Sequence, residues 1–154
     1  EELAEKAILT ASLHSVKESE LEDRAADARA RTEEIKEAIA RREMLRTQTR
    51  NPNWNGPVLS RGRGSVMGPS GKETYYNLNM NGVVNIMRRM GNTDEYWVRD
   101  DGCKMLGDYI MCAANLRVHP RGSLVESSLG TCIVCDTGGF ASHNANQLDI
   151  AVNW

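Results

Sequence analysis

The first third of the chain contains no residue that would interrupt a helix. Residues 2–48 include neither proline nor glycine, and alanine, glutamate, arginine, lysine and leucine dominate there. These residue types have high helix propensities. The sequence therefore predicts a helical or coiled-coil stalk over residues 1–49.

Two apolar series run along the predicted stalk. The first covers Leu9–Val16, and the second steps by four and three residues alternately from residue 21 to residue 39, as a coiled-coil seam does. The two series do not share a register, and Ser19 with Glu22 has the form of a capping box. Either one long helix carries a stutter, or two helices form a hairpin. Alanine and threonine occupy much of the seam, so we expect self-association or packing into a larger assembly.

Residues 50–73 are predicted to be a flexible linker, because three prolines and five glycines interrupt any helix or strand pattern. Arg61 and Arg63 form an Arg-Gly repeat within it. Two arginines neutralise few phosphates, and no stacking aromatic residues separate them. The net charge of −2 gives no attraction to polyanions. The sequence therefore argues against nucleic-acid binding.

The sequence also predicts no membrane span, since no stretch approaches the roughly 18 apolar residues that a transmembrane helix needs. The chain begins with Glu1-Glu2 and carries no signal peptide. We interpret it as a processed form or a fragment, so the missing signal is no argument for the cytoplasm.

Short strands separated by turns dominate the remainder of the chain. A short helix should end at Gly91, and Asp100-Asp101-Gly102 should form a tight turn. The strands are expected at residues 95–98, 108–114, 123–125, 131–135 and 147–153. Several short strands with little helix between them are typical of a small barrel. The predicted fold class is therefore α+β, with the helical stalk followed by a small β-barrel over residues 74–154.

Two acidic residues stand out near the end of the chain. Asp136 opens an Asp-Thr-Gly-Gly turn after the apolar run 132–135, and Asp149 lies between Leu148 and Ile150. In a strand Asp149 would face away from both neighbours, either as a solvated residue or as a group held in a groove. Asp136 is either a turn-capping residue or a carboxylate beside a ligand. The two glycines can adopt positive φ and let a ligand approach the backbone.

This part of the chain resembles the 3D domain, which is named for three aspartates. The domain occurs in membrane-bound lytic transglycosylases of the MltA type and in stationary-phase survival or resuscitation-type muralytic proteins of Gram-positive bacteria. The matching segments are Ala113-Ala114-Asn115, Pro120-Arg121-Gly122, Asp136-Thr137-Gly138-Gly139 and Leu148-Asp149-Ile150. The resemblance covers about residues 109–154, extends to about residue 74, and implies a double-psi β-barrel.

The resemblance implies that the chain cleaves peptidoglycan glycan strands without a cofactor or metal. Asp149 would be the general acid and base that gives a 1,6-anhydro product, with Asp136 as the acid that supports it. To act as a general acid, the Asp149 carboxyl group needs a raised pKa. Hydrolysis by Asp136 and Asp149 as a two-carboxylate pair is the other enzymatic scheme.

The resemblance also implies a set of substrate-binding residues, namely Asn115, His119, Thr137, Gly138 and Gly139. Asn115 occupies the position of the family's first acid, and an amide cannot ionise. The alternative is therefore a non-catalytic glycan-binding or structural module, which could form part of a phage or prophage tail. The expected location is extracellular or in the cell envelope, or else on a phage particle.

Four cysteines fall in the predicted barrel, namely Cys103, Cys112, Cys132 and Cys135. Residues 132 and 135 would point to opposite faces of a strand, which does not suit a shared metal ion. One or two disulfides and small buried hydrophobic side chains are both compatible with this pattern.

Overall fold

The computed structural model describes residues 1–154. The chain is an α+β protein with two compact units, Glu1–Arg41 and Arg42–Trp154. The first unit is helical, and the second carries one mixed sheet. The predicted fold class is confirmed at this level.

Helix α1 (Glu2–Arg46) is continuous, which decides between the two arrangements that the apolar spacing allowed. The helix does not break at Ser19, and none of its residues is buried. Glu2 and Glu5 in the first turn and Arg46 in the last turn complement the helix dipole. Neither α1 nor the shorter helix has an apolar stretch of the length that crossing a bilayer requires.

The strands and the second helix follow in the second unit. They are β1 (Ser65–Gly68), β2 (Gly71–Tyr76), α2 (Asn81–Arg89), β3 (Tyr96–Val98), β4 (Lys104–Leu106), β5 (Tyr109–Ala113), β6 (Leu124–Ser127), β7 (Gly130–Asp136) and β8 (Leu148–Ala151). A 3₁₀ turn, Gly139–Ser142, separates β7 from β8. The predicted helix and the five predicted strands are confirmed with small differences in their ends, whereas β1, β2 and β4 were not predicted.

The sheet branches at β5. One edge of β5 pairs with β7, and the other pairs first with β4 and then with β8. The strand order is therefore β1-β2-β8-β5-β7-β6, with β3 beside β4. The pairs β2–β8 and β5–β7 are parallel. Because β1, β3 and β6 each pair with a single strand, the hydrogen-bonded sheet is open and does not form the closed barrel that was predicted.

Apolar clusters cover the two faces of the sheet. Leu148 and Ile150 belong to the first cluster, and Ala151 belongs to the second, against which α2 packs. Successive residues of a strand face opposite sides. Asp149 therefore shares the second face with Ala151, and the prediction that it faces away from Leu148 and Ile150 is confirmed.

Part of the predicted linker is ordered by contacts with the turn between β6 and β7. Asn51 and Leu59 are buried. The Asn51 N–H donates to the Ser128 carbonyl, and the Leu59 N–H donates to the Ser128 hydroxyl. Strand β1 and the first residues of β2 also lie within residues 50–73.

Glu73 joins β2 to the same turn. Its side chain is buried, and its two carboxylate oxygens accept the Ser128 N–H at 2.8 and 3.0 Å. A side chain at Gly68 would overlap this carboxylate. The glycine on β1 thus leaves the space that the buried acid occupies.

Glu73→Gln is expected to change how the free energy of unfolding depends on pH. Burial raises the pKa of Glu73 above its ordinary value of 4.5, so the folded chain binds this proton more tightly than the unfolded chain does. The stability that Glu73 contributes is complete below about pH 4.5 and is lost as pH rises through the folded-state pKa. Urea unfolding at increasing pH should therefore show the wild type losing stability relative to Glu73→Gln. Parallel curves would contradict this description of Glu73.

Candidate functional site

Asp149 and Asp136 lie in one row of residues across four strands. Asp149 pairs with Thr74 of β2 on one side and with Ala113 of β5 on the other. Ala113 pairs in turn with Asp136 of β7. Residues in register on neighbouring strands project from the same face. The two acids therefore flank Ala113, with their Cα atoms about 10 Å apart, or two strand spacings.

A β-bulge brings Asp136 into this row. Cys112 pairs with Val134, but the next residue, Ala113, pairs with Asp136, so that Cys135 is the extra residue. Regular alternation would have placed Asp136 on the face of Val134. A bulge re-aims the side chains that follow it. Here it directs the Asp136 carboxylate to the face that carries Asp149.

Asp149 is a half-buried acid with a raised pKa. The Thr74 hydroxyl donates to its Oδ1 at 2.9 Å, and the Gln147 amide donates to the Thr74 hydroxyl oxygen at 2.9 Å. Burial raises the pKa of Asp149 most, the Thr74 hydrogen bond lowers it, and the charge of Asp136 raises it again. The net upward shift favours the protonated form, as a general acid requires.

Two donors hold the Asp136 side chain in place. The Tyr76 hydroxyl donates to its Oδ2 at 3.0 Å, and the Thr137 N–H donates to its Oδ1 at 2.9 Å. Burial and the neighbouring Asp136 charge raise the pKa of Tyr76, so its phenol stays protonated and continues to donate. The two acids therefore have different hydrogen-bond partners: Asp149 accepts from Thr74, whereas Asp136 accepts from Tyr76 and from the Thr137 N–H.

Asn115 forms hydrogen bonds with neither acid. Its amide N–H donates to the Ala141 carbonyl at 3.1 Å, and its Oδ1 accepts the Arg117 N–H at 2.9 Å. The side chain thus ties the loop after β5 to the 3₁₀ turn after β7. An ionised aspartate could accept the Arg117 N–H but could not donate to Ala141. The asparagine therefore fits a structural position in this chain.

An open groove of about 500 Å³ lies next to the end of β7. It is lined by Asn115, Leu116, Arg117, Thr137, Gly138, Ala141 and Ser142. Asn115, Thr137 and Gly138 were predicted to bind substrate, and the structure brings them together here. His119 and Gly139, which were also predicted to bind substrate, are not among the lining residues, and neither are the two acids, Asp136 and Asp149.

The two glycines after Asp136 do not use a left-handed conformation. Gly138 is extended, with φ −156°, and Gly139 has no positive φ. A Cβ atom at Gly139 would meet no atom within 4 Å, whereas one at Gly138 would approach the Phe140 ring at 3.1 Å. Gly139 therefore leaves its backbone open to a ligand without being required by the fold.

Thr74, Tyr76 and Gln147 were not predicted to belong to the site. Thr74 and Tyr76 lie in β2, which is separated from Asp149 by most of the second unit along the chain. Their contacts depend on the parallel pairing of β2 with β8. Alternation within β2 could have indicated that Thr74 and Tyr76 share a face, but no local pattern identifies the partner strand.

All four cysteines are free and buried. Cys132 lies in the first apolar cluster and Cys135 in the second, as their spacing predicted. Burial raises the pKa of Cys135 to about 12, so its thiol is uncharged at neutral pH. Of the two possibilities that the sequence allowed, the structure has small buried hydrophobic side chains rather than disulfides.

Comparison of the chain with protein-family models, with curated proteins and with solved structures found no match. The geometry of the two acids and the four segments that resemble the 3D domain are therefore the only indications of function.

Two substitutions are expected to move the pKa of Asp149 in opposite directions. Thr74→Val removes a hydrogen bond that lowers this pKa, so the pKa should rise. Asp136→Asn removes a negative charge that raises it, so the pKa should fall. Carboxyl ¹³C NMR titration measures both changes without any substrate. Shifts in the same direction would contradict the described environment of Asp149.

Proposed function

We propose that the chain cleaves the glycan strands of peptidoglycan, with Asp149 as the general acid and base and Asp136 as the carboxylate that supports it. The observation that carries this proposal is the row that places both acids on one face of the sheet, on either side of Ala113. Burial and the charge of Asp136 raise the pKa of Asp149, which is the direction that a general acid needs.

In the proposed reaction, Asp149 first donates its proton to the glycosidic oxygen as the bond to the anomeric carbon breaks. The leaving sugar thereby departs as a neutral alcohol. The Asp149 carboxylate then takes the proton of the 6-hydroxyl group as that oxygen bonds to the anomeric carbon. The product is a 1,6-anhydro sugar, and no water is consumed. The Asp136 charge both raises the pKa of Asp149 and stabilises positive charge that develops on the sugar ring.

We place the sugar beside Asp136, along the groove that Asn115, Thr137 and Gly138 line. The Asn115 amide, the Thr137 hydroxyl and nearby backbone groups offer polar partners for sugar hydroxyl groups. The open space above Gly139 allows the chain of sugars to approach the backbone.

We further propose that the second unit has the strand arrangement of a double-psi β-barrel, although its hydrogen-bonded sheet is open. The parallel pairs β2–β8 and β5–β7 support it. Peptidoglycan as substrate would place the protein outside the cell, in the envelope or on a phage particle.

A non-catalytic glycan-binding or structural module is the second candidate. Asn115 favours it, because this residue occupies the position of the first acid in the 3D domain, and an amide cannot ionise or carry a proton. In that case the groove would grip the cell wall, on the cell surface or on a phage tail, without breaking a bond.

Incubation with purified, insoluble peptidoglycan separates the two candidates. The enzyme should release soluble glycan fragments over time, whereas a binding module should sediment with the wall and release nothing. If the wild type releases fragments no faster than a heat-inactivated sample does, that result would contradict cleavage.

A further inference from the structure

The middle of α1 carries an exposed apolar seam. At 3.6 residues per turn, six residues lie within about 40° of one line along the helix and span about 27 Å. They are Leu21, Ala25, Ala28, Thr32, Ile35 and Ile39. The side chains of Leu21, Ile35 and Ile39 are each about 60% exposed. A row of this kind is the surface that coiled-coil partners cover.

Charge is segregated around this seam. The four charged residues that flank it within residues 24–36 are all basic, namely Arg24, Arg29, Arg31 and Lys36. The acids of the same stretch lie on the far side of the helix, at least about 120° from the seam, and are Asp27, Glu33 and Glu34. In heptad terms, four of the six e and g positions along the seam are basic, the other two being Glu22 and Ala38, and these positions select the partner of a coiled coil.

A parallel second copy of the chain is a poor occupant of the seam. In a parallel pair, Arg24 would lie opposite Arg29 of the second copy, and Arg31 would lie opposite Lys36. These contacts bring like charges together, which destabilises the pair. In an antiparallel pair centred on the seam, Arg29 and Arg31 would each face their own counterparts, while Glu22 would face Lys36.

The small seam residues point to the same conclusion. Ala25 and Ala28 leave shallow positions on the helix, and a hollow beside them is lined by Ala28, Arg29, Thr32, Glu33 and Lys36. In a parallel self-pair, alanine would meet alanine in two successive layers and leave the interface underpacked. Larger apolar side chains from a different helix would fill those layers.

We propose that this seam docks an amphipathic helix of another protein, with large apolar residues at its a and d positions and glutamate or aspartate at its e and g positions. The interaction adds a partner to the chain and does not depend on the acids of the sheet. It assigns α1 to assembly with an acidic helix rather than to self-association.

The test uses the full chain and two fluorescent synthetic helices of about four heptads. Both carry leucine at a and d; one has glutamate at every e and g position and the other has lysine. Fluorescence anisotropy should give a dissociation constant about tenfold or more lower for the glutamate peptide, with the difference shrinking as salt is added. Equal binding of both peptides, or no binding of the glutamate peptide, would overturn the proposal.

Charge reversal supplies the matched variants. The combined change R24E, R29E, R31E and K36E should invert the preference toward the lysine peptide, whereas E34Q with E37Q on the far side should leave it unchanged. Far-UV circular dichroism checks that both variants keep the helix. Sedimentation of the wild type as a dimer that Ala28→Glu abolishes would identify a second copy as the occupant and would also overturn the proposal.

Discussion

Asp149→Asn is expected to lower the rate of glycan cleavage by about 10²- to 10⁴-fold, the range for losing a general acid and base. Asparagine has nearly the same shape as aspartate, and its carbonyl can still accept the Thr74 hydroxyl proton. The variant should therefore keep its fold and lose the ability to give and take a proton. The rate of release of soluble fragments from purified peptidoglycan measures the effect.

An exposed acid on α1 supplies the control for this variant. Asp23→Asn makes the same chemical change outside the sheet and should leave the rate unchanged. The free energy of urea unfolding of both variants should match that of the wild type to within about 1 kcal/mol. A full rate in Asp149→Asn would remove Asp149 from the mechanism.

The dependence of the rate on pH should follow the protonation of Asp149. Because the first step uses the protonated acid, the rate should fall as pH rises through the pKa of Asp149. Asp136→Asn lowers that pKa by removing a nearby negative charge, so the fall should occur at lower pH in that variant. A fall at the same pH in both proteins would contradict the coupling between the two acids.

Asp101→Asn is expected to destabilise the fold by about 3 kcal/mol. Asp101 receives two hydrogen bonds from the Arg99 guanidinium, at 2.9 and 2.8 Å, and the Arg99 side chain is 1% exposed. The same guanidinium donates to the Leu129 carbonyl at 3.0 Å and so holds the turn between β6 and β7. Asparagine would leave a buried positive charge without its counter-charge. The free energy of urea unfolding measures this cost.

Two further variants separate charge burial from other effects. Asp100→Asn makes the same change one residue away, where the acid pairs with Arg46 and is 55% exposed; it should cost less than about 1 kcal/mol. Arg99→Met combined with Asp101→Asn removes the buried charge and should recover most of the lost stability. If Asp100→Asn and Asp101→Asn cost the same, burial of Arg99 would not be the cause.

The long helix was predictable because its signal is local. Residues 2–48 share high helix propensity, and each residue contributes in the same direction. The ordered segment around Asn51 and Leu59 was not predictable in this way. Its glycines and prolines suggest a linker, and it is held by hydrogen bonds to Ser128, which is far away in the sequence.

Part of the site was also predictable, because some of its features depend on local sequence patterns. Alternation around Asp149 correctly indicated which way its side chain faces. The direction of Asp136 depends on the bulge at Cys135, which a strict period of two does not reveal. Thr74, which donates to Asp149 from 75 residues earlier in the chain, depends on a parallel strand pair. Local sequence patterns carry no information about such a pairing.

In the proposed mechanism, Asp149 alone gives and takes the proton, and Asp136 is not covalently involved. Mass spectrometry of the soluble products from purified peptidoglycan tests it most directly. The proposed reaction predicts 1,6-anhydro muropeptides from the wild type and none from Asp149→Asn. Products with reducing ends would instead mean hydrolysis by Asp136 and Asp149 as a pair, and would contradict the claim. A wild type that binds the wall and releases no product would contradict cleavage altogether.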